Sequence, residues 1–281
     1  MARDPRKNEE TGMSKTASKG TALITGASTG IGAVYAERLA RQGYDLVLVA
    51  RDAARLNALA ASLRKSAGVA VDVLRADLTQ GGDVAKVEAR LRDDAAIALL
   101  VNNAGVGFGG TLLTSDAARI ETLVALNIVA LTRLATTAAQ AFVARKAGTI
   151  VNIASVLALA PELANGVYTG SKAYVLNFSQ ALKKDLAGSG VAVQVVLPGA
   201  TQTEIWERAG IDVGKYPPSM IMQAGEMVDA ALRGLADGEF VTIPALPDPA
   251  QWEALEAART ALGPNLSRDR AAPRYRHPVA A

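Results

Sequence analysis

The chain has 281 residues, 50% of them hydrophobic, and its 30 Lys and Arg against 27 Asp and Glu give a net charge of only +3. This length suits one large α/β domain, and the weak charge does not favour binding to nucleic acid or to an anionic membrane. The absence of cysteine excludes disulfides and Cys-ligated metals, and the single histidine, His277, argues against His-dependent hydrolysis, so we expect no metal and a cytoplasmic location.

Residues 1–19 mix acidic and basic side chains without an apolar run, which predicts a disordered arm and no secretory signal. From residue 21 onward, apolar runs of strand length alternate with segments whose apolar residues recur at helical spacing. This alternation predicts an α/β fold with a single doubly wound parallel seven-stranded sheet, helices on both faces, and a ligand site beyond the carboxyl ends of the strands. The predicted strands are residues 22–25, 46–50, 69–74, 97–101, 149–154, 191–197 and 240–243.

The sequence TGASTGIG, residues 25–32, directly follows the first strand and opens the first predicted helix. Gly26, Gly30 and Gly32 permit a tight turn and a close approach of backbone to ligand, and the helix N-terminus offers free N–H groups to a pyrophosphate. A glycine-rich turn without a ligand is the alternative. The order of strand, loop and helix favours a dinucleotide site of the Rossmann type.

The second strand ends in Ala50, Arg51 and Asp52. An NAD-specific site usually has an acidic residue at this strand end, whereas Arg51 offers a charge-assisted contact to a 2′-phosphate. Asp52 is expected to cap the helix that follows. The segment therefore predicts NADP(H) in preference to NAD(H), and the alternative is that Arg51 is a solvated surface charge.

Ser155 follows the fifth strand, and Tyr168 and Lys172 stand four residues apart in the sequence YTGSK. Residues at this spacing lie on one face of a helix, so the phenol and the ammonium can point into the same cleft. The ammonium, helped by a cationic nicotinamide ring, is then expected to lower the pKa of the phenol from its ordinary value of about 10 towards the range where general acid–base catalysis works. Taken alone, the spacing favours a half-buried aromatic residue, a surface charge and a turn serine.

Beyond the last strand, Asp248 and Pro249 predict the start of a helix that stops at Gly263. The domain is therefore predicted to span residues 20–263, followed by a flexible Arg-rich tail, residues 264–281. We expect the tail to be solvated, and binding to an anionic partner is the alternative. The longest uncharged stretch, residues 95–115, contains Asn and Gly, so no membrane span is predicted.

Together these motifs resemble the short-chain dehydrogenase/reductase family over about residues 20–245. The glycine loop, the sequence NNAG at residues 102–105, and the set Ser155, Tyr168 and Lys172 each match a family motif. The resemblance implies that Tyr168 exchanges the proton, that Lys172 lowers its pKa and binds the nicotinamide ribose, and that Ser155 holds the substrate oxygen. Asn127 is similar to the proton-relay asparagine of the family, although the sequence alone indicates an ordinary polar residue in an apolar helix.

The same resemblance implies further contacts to the cofactor. One segment after the third strand would contact the adenine, the NNAG segment would pass beneath the adenosine, and a third segment, after the sixth strand, would lie near the nicotinamide amide. Ordinary turn or cap chemistry is the alternative for these segments. The predicted cofactor-binding residues are Gly26, Ser28, Thr29, Gly30, Ile31, Gly32, Arg51, Asp77, Leu78, Asn103, Ala104, Gly105, Tyr168, Lys172, Pro198, Gly199 and Thr203.

These features predict an NADP-dependent oxidoreductase that transfers a hydride between nicotinamide and a carbonyl or secondary alcohol. Residues 106–111, 156–165 and 205–222 are expected to border a mostly apolar pocket for a small uncharged substrate, with residues 203–222 as a closing lid. The alternatives are a 3-oxoacyl-carrier-protein reductase and a non-catalytic NADP-sensing regulatory protein. The resemblance also implies a homo-oligomer, either a dimer or a tetramer.

Overall fold

The computed structural model describes residues 19–276 and contains two compact units that divide after Pro244. The predicted disorder of residues 1–18 and the position of His277 lie outside the described residues. The strands are β1 (Thr21–Thr25), β2 (Asp45–Ala50), β3 (Val71–Arg75), β4 (Ile97–Asn102), β5 (Gly148–Ile153), β6 (Val191–Val196), β7 (Thr201–Gln202), β8 (Met222–Gln223) and β9 (Val241–Thr242).

The central sheet has seven parallel strands in the order β3-β2-β1-β4-β5-β6-β9, which confirms the predicted doubly wound sheet. Every residue of β1 is buried, as expected for an inner strand that is covered by helices on both faces. The neighbours of β1 are β2 and β4, so the order of strands reverses there. A groove opens at the carboxyl ends of such neighbouring strands.

A second sheet pairs β7 with β8, whose strands of two residues each are too short to give a periodic signal in the sequence. Thr201 pairs with Met222, so the two ends of the segment between them lie side by side. Residues 203–221 therefore form a closed loop beyond the end of β6.

The helices are α1 (Gly30–Arg41), α2 (Ala53–Ala67), α3 (Gly81–Asp93), α4 (Ala117–Val124), α5 (Leu131–Arg145), α6 (Gly166–Asp185), α7 (Ile205–Ala209), α8 (Ala224–Ala236) and α9 (Ala250–Ala261). Alternate residues of the strands face two separate cores. Ile24 packs with Tyr35 of α1 and Val228 of α8, whereas Leu23 packs on the other side with Leu91 of α3 and Phe142 of α5. The two cores confirm helices on both faces of the sheet.

A π-helical turn, Ala125–Ala130, joins α4 to α5, and the three segments form one continuous helix. By length and composition this helix could cross a membrane, but its α5 part packs on the sheet and on α3, which accounts for its apolar character. The absence of membrane association stays a prediction.

The unit that begins at Ala245 contains α9, which starts directly after Pro249 as predicted. Short 3₁₀ turns follow at Gly263–Asn265 and Pro273–Tyr275. Four tail arginines, Arg268, Arg270, Arg274 and Arg276, are exposed. The domain limit at residue 263 and the flexibility of the tail stay predictions.

Packing between α5 and the sheet is tested by Phe142→Ala. The ring is fully buried, so its removal should lower the free energy of unfolding by about 3–5 kcal/mol in urea titrations. Leu113→Ala is the control because that side chain is 97% exposed and should change stability by no more than about 0.5 kcal/mol. Equal effects of the two substitutions would contradict this packing.

Candidate active site

The glycine loop between β1 and α1 has no room for side chains. Gly26 and Gly30 have positive φ angles of 66° and 54°. A Cβ on Gly32 would overlap the carbonyl oxygen of Gly26, and a Cβ on Gly30 would lie 3.1 Å from the Thr203 methyl carbon. The loop therefore makes the tight turn predicted for it, and the close approach of its backbone to a ligand stays a prediction.

The N-terminus of α1 is open to an anion. Thr29 is the N-cap residue, but its side chain makes no capping hydrogen bond. Within residues 19–276, the backbone N–H groups of Gly30, Ile31 and Gly32 have no acceptor. Ser28 and Thr29 are half-buried beside them. Free N–H groups and the positive end of the helix dipole fit the phosphates of a dinucleotide.

The loop after β4 is fixed to the end of β1 by Thr25. The Thr25 hydroxyl accepts hydrogen bonds from the backbone N–H groups of Asn103 and Ala104, each at 3.0 Å. The Asn103 side-chain amide donates to the carbonyl oxygen of Thr25 at 2.9 Å. Asn103 thus has a structural role in holding the glycine loop, and the sequence analysis did not identify Thr25 as its partner.

Arg51 lies exposed at the end of β2 and has no hydrogen-bond or ion-pair partner in the described part of the chain. Its guanidinium is therefore available to an anionic ligand. Asp52 accepts a hydrogen bond from the N–H of Arg55 at 3.0 Å, which confirms its predicted role as the cap of α2.

Asp77 lies after β3, where its carboxylate accepts hydrogen bonds from the backbone N–H and the hydroxyl of Thr79, at 3.1 and 2.8 Å. This is the turn chemistry that the sequence left open as an alternative. Leu78 is 5% exposed. A contact of either residue with adenine stays a prediction.

Ser155, Tyr168 and Lys172 converge at the carboxyl end of β5. The Ser155 hydroxyl is close enough to the phenol of Tyr168 to lower its pKa. Lys172 lies one turn further along α6, with its Nζ atom 5.8 Å from the centre of the Tyr168 ring and donating to the Ile153 carbonyl oxygen at 3.0 Å. The two side chains lie on one face of the helix, as the spacing predicts.

Burial sets the protonation of this cluster. It raises the pKa of Tyr168 to about 12, and the nearby Ser155 hydroxyl lowers that pKa by less. Burial also lowers the pKa of Lys172 to about 8. In the nucleotide-free chain the shift for Tyr168 is therefore upward, opposite to the lowering predicted from the sequence for a phenol beside Lys172 and a cationic nicotinamide ring, because desolvation of the phenol outweighs the effect of Ser155. At neutral pH the phenol carries its proton and most of the lysine is charged.

Asn127 lies in the π-helical turn and is 1% exposed. Its side chain accepts a hydrogen bond from the N–H of Val106 and donates to the carbonyl oxygen of Val106, both at 2.9 Å, and it also donates to the Ser171 hydroxyl at 3.2 Å. A Cβ on Gly105 would lie 3.3 Å from the Asn127 amide oxygen and 3.6 Å from Lys172 Nζ. Asn127 therefore belongs to the same cluster, and π turns of this kind are frequent at functional sites.

Residues 198–203, which follow β6, lie between the Ser155 loop and the glycine loop. The Pro198 carbonyl oxygen accepts hydrogen bonds from the Val156 N–H at 3.0 Å and from the Ser155 hydroxyl at 3.4 Å. The Gly199 carbonyl accepts from the Thr201 hydroxyl at 3.0 Å. The Thr203 methyl faces Gly30, so this segment meets the glycine loop.

Several large apolar side chains are exposed on the loops that follow β4, β5 and β6. Phe108 in the loop after β4 is 6% exposed, and the Arg119 guanidinium lies over its ring. A Cβ on Gly107 would lie 3.3 Å from the ring of Tyr168, so the loop after β4 covers that ring closely. The exposed apolar residues on these loops are Leu112, Leu113, Leu159, Leu163, Ile205, Tyr216 and Met220.

No group of three potential metal-ligating side chains occurs among residues 19–276. The arrangement of those residues instead offers an anion site, a protonated phenol and a charged amine along one groove. Such a groove fits a dinucleotide and a polar reacting group.

Comparisons with known proteins agree with this arrangement. A family model described as short chain dehydrogenase matches residues 20–213. Serine 3-dehydrogenase from Agrobacterium fabrum is 37% identical over 191 residues, which cover 66% of this chain and 73% of that protein.

Two solved structures match over 92% of this chain. One is a short-chain dehydrogenase from Sphingobium yanoikuyae in complex with NADPH, 54% identical, with 100% of its chain covered and a TM-score of 0.89. The other is an alcohol dehydrogenase from Comamonas testosteroni specific for bulky-bulky ketones, 46% identical, with 99% covered and a TM-score of 0.85.

The buried lysine is tested by Lys172→Met, which keeps the side-chain volume and removes the charge. Between pH 8 and 10.5 the unfolded chain holds this proton and the folded chain releases it, so wild-type stability rises with pH. From pH 7 to pH 10 the wild type should gain roughly 2–3 kcal/mol relative to the variant in urea titrations.

Lys184→Met is the matched control because Lys184 is an exposed lysine on the same helix. Its stability difference from wild type should not change with pH. If the stability difference between Lys172→Met and wild type also stayed constant with pH, the Lys172 amine would not be desolvated.

Proposed function

This chain belongs to the short-chain dehydrogenase/reductase family, and we propose that it is an NADP(H)-dependent oxidoreductase acting between carbonyl compounds and secondary alcohols, with Tyr168 as the general acid and base. The observation that carries the proposal is the half-buried phenol of Tyr168, which keeps its proton at neutral pH and lies with Ser155 and Lys172 at the edge of the sheet where the N-terminus of α1 is open.

The residues of the groove fit a nicotinamide dinucleotide. The free N–H groups of Gly30, Ile31 and Gly32 would hold the pyrophosphate, and the unpartnered Arg51 would hold a 2′-phosphate. NADPH in the Sphingobium yanoikuyae protein supports this choice of cofactor. When bound, the nicotinamide supplies or accepts the hydride.

The protein's own groups handle the proton. Because the pKa of Tyr168 lies near 12, the phenol is protonated at neutral pH and can donate to a substrate oxygen that gains negative charge during reduction. The charged Lys172 would stabilise the phenolate that this donation leaves. Ser155 would orient the substrate oxygen beside the phenol, and Asn127 would hold the loop at Val106 in place.

We propose an uncharged ketone with a bulky apolar group on each side of the carbonyl as the substrate class. Exposed Leu112, Leu163 and Met220, on the loops that follow β4, β5 and β6, support large apolar substituents. The Comamonas testosteroni enzyme, described as specific for bulky-bulky ketones, supports the same class. Loop 203–221 is proposed to act as the lid.

The alternative functions have less support. A carrier-protein reductase needs a basic docking face, and the two exposed lysines near the end of α6, Lys183 and Lys184, are weak support for one. A regulatory protein without turnover does not require Ser155, Tyr168 and Lys172 to be gathered in one cluster.

We also propose a homo-oligomer in the cytoplasm. An apolar surface between α5 and α6, where Val143 is 41% exposed, supports assembly with a second copy of the chain. Light scattering that gives the mass of a monomer would contradict the assembly.

The catalytic assignment is tested by Tyr168→Phe, which removes only the hydroxyl. We expect ketone reduction to fall about 10²- to 10⁴-fold, because the substrate oxygen loses its proton donor, while NADPH affinity stays close to wild type. Tyr174→Phe is the matched control on the same helix, where the hydroxyl lies 2.8 Å from Thr132 Oγ1. Full activity in Tyr168→Phe would overturn the assignment.

The cofactor assignment is tested by Arg51→Ala in fluorescence titrations with both nucleotides. Loss of a charge-assisted phosphate contact should weaken NADPH binding roughly 10- to 100-fold. NADH lacks the 2′-phosphate, so its affinity is the internal control and should change little. An unchanged ratio of the two affinities would refute a role of Arg51 in selecting NADPH.

A further inference from the structure

One carboxylate joins loop 203–221 to two parts of the dinucleotide groove. Arg55 of α2 donates two hydrogen bonds through Nη1 to the Glu204 carboxylate, at 2.9 and 2.8 Å. Arg208 of α7 donates to the same carboxylate at 2.6 Å and to the Thr29 hydroxyl at 3.4 Å. Glu204 therefore lies between the start of α2 and the N-cap residue of α1.

These contacts cross the groove. Glu204 directly follows Thr203, whose methyl faces Gly30, while Arg55 lies on the far side of the glycine loop, beyond β2. At its other end, α7 is fixed to the loop after β4, because the Ala209 carbonyl oxygen accepts the N–H of Gly109 at 3.0 Å. The short helix α7 is thus attached on both sides of the groove in which a dinucleotide would lie.

The charges around Arg55 indicate that it holds α7 in place through Glu204 rather than binding a phosphate. Arg55 Nε is 3.4 Å from Asp52, so this guanidinium faces two carboxylates and has little excess positive charge for a phosphate. Arg51, in contrast, is unpartnered within residues 19–276. The Arg55 guanidinium holds the pKa of Glu204 below its ordinary range, so the carboxylate is charged at neutral pH.

We propose that Glu204 is a positioning residue that fastens α7 across the groove and thereby slows the release of bound dinucleotide. This inference rests on the function proposed above, because a nicotinamide dinucleotide must occupy the groove. It assigns Arg55 to the lid rather than to recognition of the 2′-phosphate. The selection of NADPH over NADH is left to Arg51.

The test is Glu204→Gln, which keeps the shape of the side chain and removes its charge. We expect NADPH and NADH to dissociate about three- to tenfold faster in stopped-flow fluorescence, by the same factor for both, because two exposed ion pairs are lost. High salt should speed release from the wild type and have less effect on the variant. Glu207→Gln is the matched control, since this exposed residue of the same helix has no ion pair in the described part of the chain.

Two outcomes would overturn the proposal. Release rates equal to wild type would show that Glu204 does not fasten the lid, and faster release of NADPH alone would assign Arg55 and Glu204 to the 2′-phosphate site. Hydrogen exchange of residues 205–209 in the nucleotide-free protein is a second measurement, and it should be faster in Glu204→Gln than in Glu207→Gln. If neither nucleotide binds the wild type, the proposed function fails, whereas unchanged exchange contradicts the fastening itself.

Discussion

The desolvation of half-buried Tyr168 and buried Lys172 at the end of β5 is the constraint on which the site depends. Lys172 is only 6% exposed, and its ammonium has the Ile153 carbonyl oxygen as its hydrogen-bond acceptor. Removing water from both side chains disfavours their charged forms, so the phenol keeps its proton and the amine binds its proton less tightly. The chemistry proposed for the groove starts from this pair of protonation states.

The fold supports this burial by bringing loops together at one edge of the sheet. Thr25 joins the loop after β4 to β1, Asn127 fixes that loop at Val106, and the Ser155 hydroxyl donates to the carbonyl oxygen of Pro198. The links made by Thr25 and Ser155 connect residues that are far apart in the chain but lie at the ends of neighbouring strands, and Asn127 adds a link from the helix that follows β4. The position of the reacting phenol is therefore a property of the parallel strand order and not of one loop.

Local patterns could be predicted from the sequence. The seven sheet strands, the glycine loop, the cap at Asp52 and the shared helix face of Tyr168 and Lys172 follow from periodicity and from short-range sterics. The features that were missed depend on distant partners or on burial. The π turn at Asn127, the β7–β8 pair and the bond between Arg55 and Glu204 have no periodic signal, and the direction of the Tyr168 shift requires knowledge of how much water surrounds the phenol.

Ionisation of Tyr168 itself tests the central claim most directly. The ultraviolet difference spectrum between wild type and Tyr168→Phe, followed through an alkaline titration of the nucleotide-free protein, isolates the phenolate of this residue. A desolvated phenol with a pKa near 12 predicts no Tyr168 phenolate until the strongly alkaline range or until the protein unfolds. A phenolate that forms near neutral pH would show that the Lys172 charge outweighs burial, and it would contradict the account.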